Sequence, residues 1–339
     1  MSSLISLTQA QPVADWRSAM GDLVTQAKDL CAALALTPEA LGWSDEAMQA
    51  FPLRVPRAFV ARMRVGDAKD PLLLQVLAGA QEMQTSDGFS ADPTGETGTA
   101  NPHPGILHKY SGRVLLIVTG SCAIHCRYCF RRHFPYADNQ NSRSEWPAAL
   151  AYIANDSSIS EVILSGGDPL VAGDSQLAEL VSLIGAIGHV RRLRVHTRLP
   201  IVIPSRVTQG LLEALRHPRL QSVMVVHSNH ANEIDDEVAE AFSRLRTAGI
   251  TLFNQSVLLK GVNDSADALV ALSERLFAAG ALPYYLHQLD RVQGAAHFEV
   301  SAEHSRALQR EIAARLPGYL VPQLVQDVAG APSKMPLTH

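Results

Sequence analysis

Short apolar runs alternate with helix-like stretches between residues 113 and 289, and this alternation limits the fold more than any other feature of the sequence. Strands that alternate with helices of this length form βα units, which have right-handed crossovers and pair into a parallel sheet. Six units predict an α/β fold and favour an open or partial (β/α)6 barrel over a closed barrel of eight strands. A doubly wound sheet remains the alternative, because periodicity alone does not separate it from a partial barrel.

The predicted strands are RVLLIVT (113–119), EVILSGG (161–167), RLRVHT (192–197), QSVMVVH (221–227), LFNQSVL (252–258) and PYYLHQL (283–289). The helices that follow them are predicted at 174–188, 208–217, 232–249, 265–280 and 301–316. Before the strands, residues 15–36 and 37–51 have apolar positions at helical spacing, and Thr37 followed by Pro38 is typical of a helix N-terminus. Residues 84–107 are dense in Gly, Pro, Thr and Asp, which predicts a long functional loop.

These elements divide the chain into three expected parts. A helical N-terminal region with its loop covers 1–105, a partial barrel covers 106–300, and a C-terminal helix with a tail covers 301–339. With 47% apolar and 18% charged residues in 339, the composition is that of an ordinary compact protein.

Charge and hydropathy exclude several classes of partner. A net charge of −4 gives no general attraction to nucleic acid or to an anionic membrane. No apolar run approaches the roughly 18 residues that cross a bilayer, and the segment MSSLISLTQAQPVADW lacks the basic and apolar regions of a secretory signal. We therefore expect a cytoplasmic protein with reduced thiols, in which Cys31, from an apolar helical stretch, belongs to the core.

Polar residues follow every predicted strand at its C-terminal end. They lie at 119–121, 165–168, 196–198, 227–230, 254–256 and 287–290. In parallel sheets and barrels these ends form the edge at which active sites are built, which we call the rim. Six consecutive strands that end in this way predict an active site rather than a set of chance polar positions.

Three of the four cysteines, Cys122, Cys126 and Cys129, lie within eight residues directly after the first predicted strand. A structural zinc site normally has four ligands, so zinc would have to recruit His125 or His133. A disulfide would leave one thiol over and is uncommon in a reducing compartment. A [4Fe–4S] cluster fits better, because thiolates hold such clusters and three of them leave one of the four irons open.

This C-x3-C-x2-C motif, with SGGDPL at 165–170 after the second strand, resembles the radical S-adenosylmethionine enzymes. The resemblance implies that the three cysteines hold a [4Fe–4S] cluster whose open iron binds S-adenosyl-L-methionine, from which a 5′-deoxyadenosyl radical is released. It also implies that the turn after the second strand holds the amino group of the methionine. Two glycines would allow a close backbone approach there, and a carboxylate would face an ammonium. The residues of this turn are Ser165, Gly166, Gly167 and Asp168.

From about residue 100 to the end, the chain resembles the lysine 2,3-aminomutase group of these enzymes. The matching segments are YSGRVLLIVTGSCAIHCRYCFRRHFPY, ILSGGDPL, TRLPIVIPSRVT, NHANEID, NQSVLLKGVND and PYYLHQLDRVQG. Members also use pyridoxal 5′-phosphate, which a lysine in a Gly- and Pro-rich tail holds as a Schiff base. The matching segment DVAGAPSKMP implies that this lysine is Lys334, and that the tail folds back over the mouth of the barrel.

The same resemblance implies three substrate-binding residues. Arg131 matches the arginine that binds the carboxylate of the substrate lysine, for which a guanidinium fork is well suited. Asp290 and Asp327 match the two aspartates that hold the distal ammonium. Two carboxylates for one cation would select an amino acid with a positively charged side chain, and they would repel glutamate.

Further positions match the cofactor sites. Arg113 and Lys109 match positions near the ring and phosphate of pyridoxal phosphate, with Lys109 in place of an arginine. His230 and Gln255 match positions that line the S-adenosyl-L-methionine site. The chain departs from the free-lysine mutases at His287, where they have a tyrosine, and in a tail that is poorer in glycine. It also has only five residues after Lys334, so we do not expect their higher oligomeric states.

The resemblance implies conversion of (S)-α-lysine to (R)-β-lysine by a 5′-deoxyadenosyl radical and a pyridoxal phosphate-mediated 1,2-amino migration. The segments GFSADP, HFPY and GAAHF are similar to the branch that prepares β-lysine for elongation factor P. The expected partners are therefore L-lysine, an external electron donor, and a functional link to elongation factor P and its lysyl ligase. The alternatives are a mutase acting on free lysine or another amino acid in another pathway, a different radical enzyme that does not use Lys334, and a non-enzymatic Fe–S or metal-binding protein.

Overall fold

A computed structural model describes residues 15–139 and 143–337, so most of the N-terminal segment considered above for a secretory signal lies outside the described residues. The strands are β1 (Leu23–Val24), β2 (Val55–Pro56), β3 (Ile106–Tyr110), β4 (Arg113–Thr119), β5 (Glu161–Gly166), β6 (Arg192–Thr197), β7 (Gln221–His227), β8 (Thr251–Val257), β9 (Leu282–His287), β10 (Gln323–Gln326) and β11 (Met335–Pro336). The α-helices are α1 (Trp16–Gly21), α2 (Ala27–Leu34), α3 (Pro38–Leu41), α4 (Asp45–Ala50), α5 (Arg57–Val60), α6 (Pro71–Leu74), α7 (Trp146–Asn155), α8 (Asp174–Ala186), α9 (Leu199–Val202), α10 (Gln209–Ala214), α11 (Asp236–Thr247), α12 (Ala266–Ala279) and α13 (Ala302–Arg315).

One sheet contains nine of the strands found in the described part of the chain, and their order in space runs from β11 to β3 without interruption. Strands β4 to β10 are parallel to their neighbours, whereas β3 and β11 pair antiparallel at the two edges. A doubly wound sheet would reverse its strand order at a switch point, and this sheet does not. The fold is therefore the partial barrel, and the doubly wound alternative is wrong.

The six predicted strands are confirmed, with ends that differ by at most two residues. Their apolar character reflects burial on both faces: every residue of β5 is buried, and Val162 and Leu164 are fully covered. The tail adds β10, which is parallel to β9 and was not expected. Its four residues, QLVQ, are too few to give a strand signal.

The helices predicted after the strands are also confirmed, although α10 ends three residues early and α11 begins four residues late. Side-chain caps explain where several of them begin. The Asp235 carboxylate accepts from the backbone N–H of Val238 at 3.0 Å, and the Ser265 hydroxyl accepts from that of Ala268 at 3.3 Å.

The prediction of one helix over 15–36 is wrong. Helix α1 ends at Gly21, and β1 then pairs with β2 before α2 begins. Val24 is buried in this pairing, so tertiary packing overrides the helical spacing. The second predicted helix, 37–51, is split at Gly42, which has a left-handed φ of +62°. The predicted Thr37 cap is confirmed, since its hydroxyl accepts from the Ala40 N–H.

The N-terminal helices share one hydrophobic core with the barrel, in which Cys31 is buried as expected. A smaller cluster under α12 and α13 supports the tail, and Leu320 and Leu324 belong to it. The 84–107 loop pairs with the segment after β9, because the Ser90 N–H donates to the Arg291 carbonyl at 2.9 Å and the Gln293 N–H donates back to Ser90. This contact fixes the loop at the mouth of the barrel.

No helix within residues 15–139 and 143–337 is both long enough and apolar enough to cross a membrane.

Candidate active site

The cysteine motif lies in the loop directly after β4, at the rim. Burial raises the pKa of the Cys122 thiol well above its usual value, and the nearby Asp168, Cys129 and Cys126 raise it further. Burial also raises the pKa of Cys129 to about 11, with Cys126 as a further cause. The thiols are therefore close enough to act on one another, and a bound metal would have to displace their protons.

A single-ion site is not supported by the geometry. Across the described part of the chain, no three His, Cys, Asp or Glu side chains are arranged around one ion. His125 is held elsewhere, because its Nδ1 contacts the Pro52 carbonyl at 2.8 Å and its ring stacks on Phe51. His133 contacts the Gln293 carbonyl at 3.2 Å. Neither histidine completes a zinc site with the cysteines.

The glycine turn after β5 is pressed against the start of the cysteine loop. Gly166 has a φ of +120°, and a Cβ there would lie 2.5 Å from the Thr119 carbonyl oxygen. A Cβ on Gly167 would lie 2.4 Å from the Ser121 carbonyl oxygen, one residue before Cys122. Both positions therefore require glycine, and the close approach that the structure contains is one between two backbone segments.

The Asp168 carboxylate is almost fully buried and is used within the protein. Oδ1 accepts from the Thr197 hydroxyl at 2.7 Å, and Oδ2 accepts from the backbone N–H groups of Arg198 at 2.7 Å and Leu199 at 3.1 Å. Burial nevertheless raises the pKa of this carboxyl. These contacts tie the turn to the end of β6, and a direct contact of this carboxylate with a cofactor stays a prediction.

Arg131 pairs with an acidic residue that the sequence did not single out. Its Nε and Nη2 donate to the two carboxylate oxygens of Glu96 at 2.7 and 3.0 Å, and Nη1 donates to the Ser165 hydroxyl at 3.2 Å. Burial alone would lower the pKa of Arg131, but Glu96 outweighs it and raises that pKa. The guanidinium fork thus faces the interior and is already bound to a carboxylate.

Lys334 and Asp327 form the second charged cluster. The Lys334 Nζ donates to Asp327 Oδ2 at 2.6 Å, while Asp327 Oδ1 accepts from the Tyr110 hydroxyl at 2.5 Å and from Lys109 Nζ at 3.4 Å. Burial opposes ionisation of Asp327, but Lys334 and Lys109 hold its pKa well below the usual range. The tail therefore contacts β3 through Asp327, which binds Tyr110 and Lys109, and the Arg113 guanidinium lies 4.7 Å from the centre of the Tyr110 ring.

Asp290 lies beside this cluster with an open carboxylate. Burial raises its pKa to about 7; Asp327 adds to this effect, and Lys334 and Lys109 oppose it. Within the residues that the structure describes, its side chain has no hydrogen-bond or ion-pair partner. A carboxylate in this position is able to receive a cation.

Three histidines line the interior between these clusters. Burial and then the cations Arg198, Arg131 and Lys334 lower the pKa of His227 to about 3, and its Nε2 lies 2.9 Å from the Gln255 amide nitrogen. His227 therefore lies close enough to Arg198, Arg131 and Lys334 to be affected by all three charges. The remaining predicted residue, His230, is half-buried after β7 and accepts from the Asn232 N–H.

The other two histidines are His196 and His287. Burial is the main cause that lowers the pKa of each well below its usual value, and Lys334 contributes to both shifts. Their Nε2 atoms are buried and have no hydrogen-bond partner among residues 15–139 and 143–337. The interior thus presents neutral imidazoles with unused polar atoms.

Comparison with known proteins identifies the family of the chain. A model of the Radical SAM superfamily matches residues 116–272. The chain is 49% identical over 324 residues to the L-lysine 2,3-aminomutase of Escherichia coli (strain K12), an alignment that covers 95% of this chain and 94% of that protein. The chain belongs to the lysine 2,3-aminomutase family. This family consists of radical SAM isomerases, so the expected enzyme class is confirmed.

Other family members align over similar lengths. The L-lysine 2,3-aminomutase of Haemophilus influenzae is 48% identical over 320 residues, covering 94% of each protein. That of Clostridium subterminale is 32% identical over 326 residues, covering 95% of this chain and 77% of its own length. The cofactors of lysine 2,3-aminomutases are a [4Fe–4S] cluster, S-adenosyl-L-methionine and pyridoxal 5′-phosphate.

The residues present fit these family cofactors. Three thiols on one loop match the donor set of an iron–sulfur cluster. The unused Nε2 atoms of His196 and His287 are polar atoms that a bound group can satisfy. The Lys334 amine lies at the same interior and is only 21% exposed.

Sequence reasoning about this family member did not single out the buried acids Glu96 and Glu233, and it placed Arg198 only among the polar residues of the rim. Glu96, Arg198 and Glu233 are each no more than 5% exposed. Glu96 is fixed by Asp92, whose carboxylate accepts from the N–H groups of Glu96 and Thr97 at 2.9 Å. The only local signal was that two acids, Asp92 and Glu96, lie in a Gly- and Pro-rich loop. This signal does not reveal that Arg131, 35 residues away, is the partner of Glu96.

Proposed function

We propose that the chain converts (S)-α-lysine to (R)-β-lysine, with the cluster on Cys122, Cys126 and Cys129 and with pyridoxal phosphate on Lys334. When bound, these groups supply a 5′-deoxyadenosyl radical that takes and returns a hydrogen atom, and a conjugated ring that carries the migrating nitrogen. The observation that carries the proposal is the charge layout around one interior. A guanidinium fork lies on one side, and two carboxylates, Asp290 and Asp327, lie beside the tail lysine on the other.

This layout is complementary to lysine. Its α-carboxylate suits the Arg131 fork, and its distal ammonium suits Asp290 and Asp327. A glutamate side chain would bring a carboxylate next to these two acids and would be repelled. The layout therefore supports an amino acid with a cationic side chain over an acidic one.

The protein's own charges occupy both binding positions in the structure. Glu96 forms an ion pair with Arg131, as the carboxylate of the substrate is proposed to do. The Lys334 ammonium forms an ion pair with Asp327, as the distal ammonium of the substrate is proposed to do. Binding of lysine would then exchange like for like at Arg131 and at Asp327, and the displaced Glu96 carboxylate would keep Lys109, whose Nζ lies 3.8 Å from Glu96 Oε1. Arg131 and the two aspartates act by orienting the substrate for hydrogen abstraction at carbon 3.

Two segments support the exclusion of water. The 84–107 loop is tied to the segment after β9 through Ser90 and Gln293, and the tail is tied to β10 through the Leu337 N–H and the Leu324 carbonyl. Both segments lie over the mouth of the barrel, where they protect a radical from solvent and stray donors. Because His196 and His287 stay neutral, they would add no positive charge to an interior that is proposed to receive the cationic S-adenosyl-L-methionine.

Ser165, Gly166 and Gly167 belong to the same proposal, as do His230 and Gln255, which we place on the S-adenosyl-L-methionine side. The Lys109 Nζ and the Arg113 guanidinium lie 5.9 and 4.7 Å from the centre of the Tyr110 ring, and both residues are proposed to hold the pyridoxal phosphate. We also propose that the reaction takes place in the cytoplasm with an external one-electron donor, because the thiols must stay reduced to bind iron.

We further propose that the β-lysine is used to modify elongation factor P. The support is the similarity of GFSADP, HFPY and GAAHF to that branch of the family. The chain would supply free (R)-β-lysine, and a separate lysyl ligase would attach it.

An anaerobic assay tests the proposal. The protein is reconstituted with iron, sulfide and pyridoxal phosphate, reduced with dithionite, and incubated with S-adenosyl-L-methionine and L-lysine. We expect (R)-β-lysine by mass spectrometry after chiral derivatisation, and we expect its loss in Cys126→Ala and Lys334→Ala. Cleavage of S-adenosyl-L-methionine without β-lysine would refute the substrate, and the absence of both would refute the radical chemistry.

A coupled assay tests the link to elongation factor P. Elongation factor P and its lysyl ligase are added with ATP, and the mass of the intact factor is measured. We expect β-lysine formed by the chain to be attached faster than an equal concentration of α-lysine. Equal attachment of both would remove the support for this pathway while leaving the mutase activity intact.

A further inference from the structure

The guanidinium of Arg198 lies against one of the motif cysteines, and the proposed reaction assigns it no role. Its Nη1 donates to the Cys126 Sγ atom at 2.7 Å. We propose that Arg198 is a positioning residue that raises the reduction potential of the iron–sulfur cluster, and that Glu233 behind it limits this effect. The inference rests on the proposed cluster assignment.

The structure fixes the direction of the Arg198 side chain. Nη2 donates to Gln75 Oε1 at 2.6 Å and to Glu233 Oε2 at 3.0 Å, and the residue is only 5% exposed. Its guanidinium also lies 5.2 Å from the centre of the Phe59 ring. One edge of the guanidinium is thus held by protein acceptors, and Nη1 is left to face the thiol.

Glu233 is equally constrained. It is fully buried, and its Oε1 accepts from the backbone N–H groups of Asn229 at 2.8 Å and His230 at 3.0 Å and from Gln75 Nε2 at 3.1 Å. The carboxylate therefore cannot follow the guanidinium if that group moves toward the cluster. Cation and anion form a fixed pair, with the cation on the side of the sulfur.

The sign of the effect follows from elementary electrostatics. Reduction transfers one electron from an external one-electron reductant to the cluster, so it adds one negative charge and neither forms nor breaks a bond. A buried cation and a hydrogen bond to a cluster sulfur both stabilise that added charge. Glu233 contacts Nη2 of Arg198 rather than the thiol, and its negative charge opposes the effect of the guanidinium on the cluster. Loss of Arg198 should therefore make the cluster harder to reduce, and loss of the Glu233 charge should make it easier.

The two variants are expected to shift the reduction potential in opposite directions, and this distinguishes an electrostatic role of the pair from a packing role. A purely structural role would damage the loop in both variants and move both in the same direction. A matched control is Arg206, a fully buried guanidinium that pairs with Asp174 at 2.8 Å and lies over the Trp16 ring without touching the cysteine motif.

The test is an anaerobic potentiometric titration followed by electron paramagnetic resonance. The full chain is reconstituted as wild type, Arg198→Met, Arg198→Lys, Glu233→Gln and Arg206→Met, and iron and sulfide per chain are measured first. For Arg198→Met we expect the equilibrium constant for reduction to fall at least tenfold, a midpoint about 59 mV more negative for a one-electron couple. Arg198→Lys should shift less in the same direction, Glu233→Gln should shift to a more positive midpoint, and Arg206→Met should match wild type.

The outcomes separate the inference from the proposed function. A wild-type chain that reconstitutes no [4Fe–4S] cluster would refute the proposed function itself. A wild-type cluster with unchanged midpoints in the Arg198 and Glu233 variants, or with both moved in the same direction, would refute only the inference. If Arg198→Met loads no cluster, the signs found for Arg198→Lys and Glu233→Gln decide the question.

Discussion

The two sides of the rim hold their charges in different ways. On the cluster side, which comprises the cysteine loop with Asp168, Arg198 and Glu233, each buried charge is bound by several protein groups. The tail side comprises Lys109, Asp290, Asp327 and Lys334. There the Asp290 carboxylate is open, and the Asp327 carboxylate pairs with both lysines. The cluster side is therefore organised before any ligand binds, whereas the tail side uses contacts that a ligand can replace.

This difference suits the two tasks of the proposed reaction. A cluster needs a fixed donor set and a constant electrostatic environment, which buried networks provide. A substrate site needs charges that remain neutralised while they exchange partners. Arg131 connects the two sides. It contacts Ser165 of the glycine turn and also Glu96, and Lys109 of the tail side lies 3.8 Å from the Glu96 carboxylate.

The largest expected effect comes from the removal of Lys334, the lysine of the tail segment. Lys334→Ala should reduce β-lysine formation by roughly 10³-fold or more, because the cofactor is no longer held at the reacting centre. The visible absorbance of the lysine-bound pyridoxal should disappear, and cluster content should stay at the wild-type level. Ser333→Ala, a change at the exposed neighbour, is the matched control. Retained turnover in Lys334→Ala would remove this residue from the mechanism.

The second effect concerns the exchange of carboxylates. Glu96→Gln leaves the buried Arg131 without its charged partner, which should lower the free energy of unfolding by about 3–5 kcal/mol. Added L-lysine supplies a carboxylate, so it should raise the melting temperature more in this variant than in wild type. Calorimetry with and without lysine measures both changes.

Glu299→Gln removes a more exposed pair with Arg291 and is the control for the Glu96 variant, with an expected loss of at most about 1 kcal/mol. A lysine-induced increase in melting temperature that is the same in Glu96→Gln and wild type would contradict the exchange.

The third effect tests the rigidity of the cluster side. Gly167→Ala places a methyl group 2.4 Å from the Ser121 carbonyl oxygen, so the cysteine loop has to move. We expect a loss of about 1–3 kcal/mol in unfolding free energy, together with reduced iron content after reconstitution. Gly188→Ala is the control, since nothing lies within 4 Å of its Cβ position. Full iron content in Gly167→Ala would show that the loop tolerates displacement.

The smallest effect concerns the open carboxylate. Asp290→Asn should raise the KM for lysine about tenfold with a smaller change in kcat, because a charged hydrogen bond to the ammonium is lost. In wild type, lysine affinity should fall as the pH drops through about 7, where this carboxylate becomes protonated. Steady-state kinetics from about pH 6 to about pH 9, a range that includes this pKa of about 7, measures the dependence. The same affinity profile in the variant would exclude Asp290.

The raised pKa of Asp290 also has a consequence for stability. Its folded-state pKa lies above the ordinary aspartate value, so the folded state keeps a proton that the unfolded state has lost between about pH 4 and pH 7. The associated stability is present at low pH and is lost as the pH rises through 7. Asp290→Asn should therefore unfold at a higher denaturant concentration than wild type at pH 8, and the two should converge at pH 4.

The strands, most of the barrel helices and the cysteine loop were predictable, because each depends on a pattern within a few residues. Burial on both faces gives continuous apolar runs such as VIL in β5, and the three cysteines are close along the chain before it folds. The same reasoning failed for residues 15–36, where the pairing of Val24 with Val55 interrupts a helical pattern. Strand β10 was missed because its signal is four residues long.

The sequence by itself determined the order of the βα units and the place of the cysteine motif at the end of β4. Only the tertiary structure decided which charges meet. Arg198 contacts Cys126 across 72 residues, and Lys109 contacts Asp327 across 218. Local patterns arise from backbone geometry and periodic burial, which neighbouring residues specify. A buried ion pair arises from whichever residues the fold brings together, and no local pattern contains its partner.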